Sequence, residues 1–184
     1  MQELQSGDRT RRTIARRVSV AETDSLTGAR TRAAGLSDLD RELDRSREAG
    51  TQLVVVYVSV VGLRELNETR GREAGDQLLT RIVRITRDHL RCYDLISRHG
   101  GDEFLCAMRN LTLPDARERF SMIAAALGDA GAPSTIRTGF AELTCDETAE
   151  ELIARAGPVD TVPAPSAFPA PRLVKAADED GRQP

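Results

Sequence analysis

The longest uniformly apolar segment of the chain is a β-branched run at residues 51–61. It is too short to cross a membrane as a helix, and because polar residues do not alternate with the apolar ones we expect a central strand buried on both faces. Shorter apolar runs at residues 93–97 and 104–108 flank Gly100 and Gly101. This pattern predicts a β-hairpin whose turn uses glycines at positive φ.

Helices are predicted where apolar residues recur at helical spacing. The predicted helices cover residues 31–47, 63–67, 75–90, 113–127 and 146–156, and a further strand is predicted at residues 135–143. Gly157-Pro158 ends the last helix. Together with the hairpin, this order of elements predicts an α/β sandwich in which helices flank a mostly antiparallel central sheet.

The two ends of the chain differ in composition from its middle. Residues 8–22 combine arginines with Ile14 and Val18, which predicts a short basic amphipathic helix. Residues 158–184 are rich in Pro and Ala, which predicts a flexible tail. We therefore expect three parts: an N-terminal helix within residues 1–23, one folded domain at 24–157 and a tail at 158–184.

Charge and composition exclude several classes of protein. The chain has 26 basic and 29 acidic residues, so no overall positive field indicates nucleic-acid binding. The N-terminal arginines leave an RNA or DNA contact open as a weaker alternative, which would require binding that weakens steeply with salt. Without an apolar membrane span or signal core we expect a cytoplasmic protein. Three scattered cysteines fit reduced thiols, and neither a disulfide framework nor a zinc site.

The turn of the predicted hairpin carries the clearest candidate chemistry. Asp102 and Glu103 follow the two glycines directly. A tight turn needs glycine, but it does not need two adjacent carboxylates, which repel each other unless solvent or a cation neutralises them. From these residues alone, a solvated turn and a cation-binding turn both stay open.

Three further motifs stand upstream of this turn in a fixed order. They are Asp24-Ser25-Leu26-Thr27-Gly28 with Arg32, then Asn67 with Gly71, then Gly75-Asp76. Together with Gly-Gly-Asp-Glu-Phe they make the sequence resemble the GGDEF family of diguanylate cyclase domains over about residues 24–155. The resemblance implies the palm-like α/β sandwich of nucleotide cyclases.

The resemblance also implies a reaction. In family members two GTP molecules on two facing subunits are joined into cyclic di-GMP with the help of Mg²⁺. The implied metal ligands are Asp102, which also helps to deprotonate the attacking hydroxyl, its neighbour Glu103 and the backbone carbonyl of Val60. The implied nucleotide contacts are Asn67 and Asp76 for the guanine edge, Leu63 and Arg64 for the phosphates, and Gly100 and Gly101 in the turn. Asn67 and Asp76 have an alternative reading as residues that cap a turn and begin a helix.

Two departures from the family pattern lower the expected activity. The family's strand ends in Asp-x-Asp, whereas this chain has Ser59 and Val61, so an uncharged hydroxyl stands in place of a metal carboxylate. The family's last helix continues to a lysine and an arginine that hold phosphates, whereas here the sequence reads Ala156-Gly157-Pro158. If the two losses add, they remove about 8 kcal/mol of transition-state stabilisation.

One more match concerns binding. Arg91 and Asp94 form an Arg-x-x-Asp motif at the family's spacing from Gly100, where relatives bind their product as an inhibitor. The alternative is that Arg91 satisfies helix carbonyls and Asp94 opens a strand.

The sequence therefore predicts a degenerate GGDEF domain with little or no cyclase activity. Its expected ligands are cyclic di-GMP or GTP, with Mg²⁺ if any metal still binds, and its expected partner is a second copy or another signalling protein. The alternative is an active diguanylate cyclase in which Arg64 or Lys175 replaces the missing cation. No membrane contact is expected, and nucleic acid is disfavoured as a partner.

Overall fold

The structure, a computed structural model, describes residues 22–129 and 136–157. The elements in these ranges are β1 (Arg30–Thr31), α1 (Arg32–Ala49), β2 (Leu53–Val60), α2 (Leu63–Arg70), α3 (Arg72–His89), β3 (Leu95–Arg98), β4 (Glu103–Arg109), α4 (Leu113–Asp129), β5 (Ile136–Glu142) and α5 (Ala149–Ala156). The predicted N-terminal helix and C-terminal tail lie outside the described residues. None of the helices in the described ranges combines the length and the apolar character that a membrane span requires.

The five strands form one sheet in the order β1-β3-β4-β2-β5. Only β1 and β3 run parallel, and the other neighbouring pairs are antiparallel. The predicted mostly antiparallel sheet is therefore confirmed. β2 lies between β4 and β5, and every residue of it except Ser59 is buried, which confirms the interior strand predicted from its uniform apolar character.

Alternating side chains of the sheet build two apolar layers. Val54, Val56 and Val58 of β2 face α3 and α4. Leu53, Val55 and Tyr57 face α1 and α5. The helices on both faces thus complete the predicted α/β sandwich, and every residue of β2 except Ser59 belongs to one layer or the other.

Several elements differ from the prediction. β1 was not predicted, because two residues are too few to show a period. The second helix runs to Arg70, where Gly71 at φ 84° ends it and lets α3 begin at once. The last helix begins at Ala149, because Thr148 and Glu151 form a reciprocal capping box there.

The hairpin is present, but its glycines do not adopt the predicted positive φ. Among the described glycines positive φ occurs at Gly28, Gly50, Gly62 and Gly71. The connection between β3 and β4 spans four residues, which turn the chain without the left-handed backbone of a two-residue hairpin.

Candidate functional site

Backbone hydrogen bonds fix the hairpin turn to the end of β2. The N–H groups of His99 and Gly100 donate to the carbonyl of Glu103 at 2.8 and 3.1 Å, and the N–H of Val60 donates to the carbonyl of Asp102 at 2.9 Å. The predicted residues Asp102, Val60 and Ser59 therefore lie at one end of the sheet, next to the turn.

Ser59 has a charged residue on each neighbouring strand. The antiparallel register places it opposite Glu103 of β4 and opposite Arg137 of β5. Directly opposed residues have Cβ atoms about 4.5–5.5 Å apart and their side chains share one face of the sheet. Arg137 is exposed, and its guanidinium forms no hydrogen bond or ion pair with any residue in the described ranges.

The carboxylate of Glu103 is held inside the turn. It lies against Gly100, where an added Cβ would come within 2.5 Å of Oε2, so a larger residue there would require the Glu103 side chain to shift. Glu103 also faces the Tyr57 hydroxyl, and burial together with this contact raises the pKa of Tyr57. The ring of His99 packs edge-on at 5.9 Å from that of Tyr57. Burial and the charge of Arg32 lower the pKa of His99, while Glu103 opposes them.

The donor set at this edge does not fit the metal pair that the resemblance implies. Asp102 has a carboxylate with no hydrogen-bond or ion-pair partner among the described residues, but Glu103 is engaged and Ser59 is neutral. In the described part of the chain no group of three His, Cys, Asp or Glu side chains converges to hold a metal. Magnesium needs anionic oxygen ligands. Arg137, beside Ser59, instead brings a positive charge that repels the metal.

The predicted nucleotide contacts surround the start of α2. Gly62 at φ 80° precedes the helix without a side-chain cap, so the first N–H groups, including those of Leu63 and Arg64, lack helical partners. The guanidinium of Arg64 is 2.9 Å from Glu68 on the solvent side of the helix. These N–H groups can accept an anion, whereas Arg64 is already paired.

Asn67 of α2 contacts α3 at Gly75, the residue before Asp76. The side-chain oxygen of Asn67 is buried without a hydrogen-bond partner and lies against Gly75 of α3. Asp76 follows Gly75 and is exposed. The accessible carboxylate of Asp76 can accept from a purine edge, whereas the Asn67 oxygen is enclosed and lacks a partner.

The last helix offers no cation to this edge. α5 ends at Ala156, as predicted. Its basic residue Arg155 donates to both oxygens of Glu147, at 2.5 and 2.7 Å, and to the carbonyl of Glu142 at 2.5 Å. Hydrogen bonds from Arg155 hold the pKa of Glu147 below its ordinary value, although burial opposes them. The Arg155 guanidinium is therefore already paired with the loop before α5.

The Arg-x-x-Asp motif lies at the end of α3, and Asp94 faces inward there. The Asp94 side chain is only 1% exposed and is 3.9 Å from Arg119. One of its oxygens accepts the N–H of Arg91 at 2.8 Å, the other is buried without a hydrogen-bond partner, and burial raises its pKa. Arg91 is exposed, with Nη1 3.0 Å from the Tyr93 hydroxyl.

A cavity of about 360 Å³ lies beside this motif. It is lined by Arg91 and Asp94, by four further arginines, namely Arg30, Arg41, Arg45 and Arg87, and by Asp38 and Glu42. Asp38 pairs with Arg30 and Arg41, and Glu42 pairs with Arg45. The structure thus places Arg91 at a cavity lined by charges of both signs, while Asp94 holds the turn from within.

A family model described as diguanylate cyclase, GGDEF domain, matches residues 21–157. The chain belongs to the GGDEF family. Among curated relatives, this GGDEF domain is 32% identical over 105 residues to the diguanylate cyclase DgcP of Pseudomonas aeruginosa, covering 57% of this chain and 16% of that protein. It is 29% identical over 125 residues to the response regulator PleD of Caulobacter vibrioides, covering 66% of this chain and 26% of that protein. The chain therefore spans about a quarter or less of these relatives' length.

Solved structures with the same fold include complexes. A microbial GGDEF domain bound to cyclic di-GMP is 28% identical with a TM-score of 0.69, covering 74% of this chain and 88% of that one. The diguanylate cyclase SiaD of Pseudomonas aeruginosa, in complex with its activator SiaC, is 27% identical with a TM-score of 0.66, covering 83% and 63%. The GGDEF domain of DgcB from Caulobacter crescentus, at 23% identity and a TM-score of 0.69 over 74% and 85%, supports the fold alone.

Three residues at the site of this GGDEF domain were not predicted from the sequence. They are Tyr57, His99 and Arg137. An arginine that interrupts the apolar pattern of β5 is a weak signal in the sequence. Its position beside Ser59 follows only from the strand order and register.

Proposed function

We propose that this GGDEF domain acts in cyclic di-GMP signalling as a nucleotide-binding effector or interaction module with little or no cyclase activity. The observation that carries the proposal is the row Glu103, Ser59 and Arg137 across three strands. The reaction needs anionic metal ligands at this position. The row instead has the Glu103 carboxylate, which faces Tyr57, the neutral Ser59 hydroxyl and the Arg137 guanidinium.

The loss of catalysis follows from two independent changes. Replacing a metal carboxylate by Ser59 removes charge that would stabilise the transferring phosphoryl group. The pairing of Arg155 with Glu147 keeps the nearest cation of α5 away from the phosphates. Groups of this kind contribute about 10³-fold or more in rate, so together they account for about 8 kcal/mol.

The first proposed ligand is GTP. Asn67 and Asp76 would read the guanine edge, and the free N–H groups at Leu63 and Arg64 would hold phosphate at the start of α2. The buried, unpartnered oxygen of Asn67 supports this role, because such an atom normally has a partner in the functional state.

The second proposed ligand is cyclic di-GMP. Arg91 is exposed beside the arginine-lined cavity, and a planar guanidinium forks onto phosphate or stacks on a base. Asp94 contributes by fixing the Arg91 backbone through its 2.8 Å hydrogen bond. Nucleotide binding would then be signalled in the cytoplasm through a homodimer, or through a partner protein of the kind that SiaC is for SiaD.

Calorimetry with each nucleotide, together with product chromatography after incubation with GTP and Mg²⁺, tests the proposal. We expect binding of at least one nucleotide and no accumulation of cyclic di-GMP. Binding of neither nucleotide would leave a purely structural module.

An active diguanylate cyclase is the second candidate, and Arg137 favours it, because this cation could stabilise the phosphoryl group in place of the missing clamp. Steady formation of cyclic di-GMP that is abolished by Asp102→Ala would establish this candidate and refute an inactive module.

A further inference from the structure

Arg137 is positioned by the sheet, not by a flexible loop. It lies in β5 directly opposite Ser59, and the adjacent pair Val60 and Ile136 is buried in the apolar layer on the other face. On its own face, α5 covers β5 at Gly139, where the carbonyl of Ala156 lies against the glycine. Arg137 lies outside this contact, which leaves its guanidinium exposed.

The groups around Ser59 carry charges of both signs, with Glu103 and Arg137 on the two neighbouring strands. Asp102 is the carboxylate without a partner among the described residues at this edge, because Glu103 faces Tyr57 and lies against Gly100. On the positive side are Arg137, whose guanidinium has no partner in the part of the chain that the structure describes, and the helix N-terminus at Leu63. A divalent cation at Ser59 would meet one free carboxylate and a like charge on the neighbouring strand.

We propose that Arg137 replaces the divalent cation, so that the phosphates of a guanine nucleotide bind at Ser59 through a guanidinium and without metal. This inference rests on the proposed function, namely that Asn67 and Asp76 hold a guanine nucleotide. The guanidinium, the Ser59 hydroxyl and the N–H groups at the start of α2 together supply the donors. Arginine suits this role because its charge is permanent and its fork matches two phosphate oxygens.

The test compares GTP binding by calorimetry in EDTA and in excess Mg²⁺, with GMP as a ligand that lacks the outer phosphates. For the full chain we expect the Kd for GTP to differ by less than about threefold between the two buffers. Arg137→Ala should raise the Kd for GTP about tenfold, which corresponds to about 1.4 kcal/mol, and should affect GMP less. Arg137→Lys should retain part of the affinity.

Arg84→Ala is the matched control. Arg84 is an exposed arginine of α3 that has no hydrogen bond or ion pair within the described ranges, so its removal changes net charge equally without touching the site. We expect no change in either Kd. If Arg84→Ala and Arg137→Ala weaken GTP binding equally, the effect is one of net charge and the inference is overturned.

Mn²⁺ binding in the absence of nucleotide, followed by electron paramagnetic resonance, tests exclusion of the metal directly. We expect no Mn²⁺ bound by the natural chain and Mn²⁺ bound by the double variant Ser59→Asp/Arg137→Ser. Mn²⁺ bound by the natural chain, or GTP binding that disappears in EDTA, would overturn the inference and leave the proposed nucleotide-binding function standing. Binding of neither GTP nor cyclic di-GMP in either buffer would overturn both.

Discussion

The side-chain oxygen of Asn67 lies so close to Gly75 that a Cβ added at position 75 would come within 2.0 Å of it. This contact sets the spacing of α2 and α3 at the proposed guanine site. The glycine is needed here for space and not for its backbone freedom, because Gly75 is not among the glycines with positive φ.

Gly75→Ala should therefore reduce both stability and GTP binding. Asn67 would have to move, and overpacking of this kind costs about 1–3 kcal/mol. Gly128→Ala is the control, because a Cβ at this position of α4 meets nothing within 4 Å and should be neutral or stabilising by up to about 1 kcal/mol. Urea denaturation and calorimetry measure the two effects, and equal behaviour of the two variants would contradict the contact.

Asp24→Asn should destabilise the domain in a pH-dependent way. Arg98 donates to Asp24 at 3.1 Å and to the Gly101 carbonyl at 2.7 Å, so it connects the N-terminal loop to the turn. Burial opposes ionisation of Asp24, but hydrogen bonds from Thr27 and Arg98 outweigh it and lower its pKa. The carboxylate thus contributes stability above the ordinary pKa of 3.8, and this contribution is lost as pH falls below that value.

We expect Asp24→Asn to lose about 1–2 kcal/mol at neutral pH, with the difference from the natural chain shrinking in acid. Asp40→Asn, at an exposed position of α1, should show neither effect. Urea denaturation across the pH range provides the measurement, and a difference independent of pH would argue against an ionised Asp24.

Glu147→Gln should loosen the end of α5. The Glu147 carboxylate is buried and receives two hydrogen bonds from Arg155, so the variant leaves a charged guanidinium with a weaker acceptor. A loss of about 2–3 kcal/mol is expected in urea denaturation. Because the pKa of Glu147 is lowered, the loss should fade as pH falls below 4.5, the ordinary value. Glu150→Gln, an exposed change of equal charge, should cost far less.

Ser59→Asp alone should not restore cyclase activity. The new carboxylate would lie between Glu103 and Arg137, where the guanidinium would pair with it, and Arg155 would still be committed to Glu147. Product chromatography with GTP and Mg²⁺ should show no cyclic di-GMP. Robust turnover by this single variant would mean that the missing carboxylate was the sole defect.

The three thiols should differ in reactivity. Cys92 and Cys145 are exposed, whereas Cys106 is buried in β4, and burial raises the pKa of Cys106 to about 12. A chromogenic thiol reagent should therefore modify two cysteines of the native chain and the third only on unfolding. Rapid reaction of all three under native conditions would contradict the packing of β4.

The sequence predicts the elements of this fold whose pattern is local. The uniform run of β2, the stripe of α3 and the hairpin all arise from residues close together in the chain, and their bounds agree with the structure to within a few residues. The end of α5 at Ala156 was also predicted, because Gly157 and Pro158 stop a helix whatever surrounds it.

The sequence could not predict relationships between distant segments. Arg137 reaches Ser59 only because β5 pairs with β2 in one register. Asp94 is drawn inward by Arg119 of α4, and Glu103 is engaged by Tyr57. Each of these relationships decides whether a charged side chain is free to bind a ligand. None of them can be recognised from the residues nearby in the sequence.

The carbonyl of Ala156 lies directly on Gly139, and this makes the end of α5 a fixed stop. A Cβ added at Gly139 would come within 2.0 Å of this carbonyl oxygen, so any larger residue there would push the last turn of the helix away from the strand. The distance between α5 and the sheet therefore depends on a missing side chain in β5.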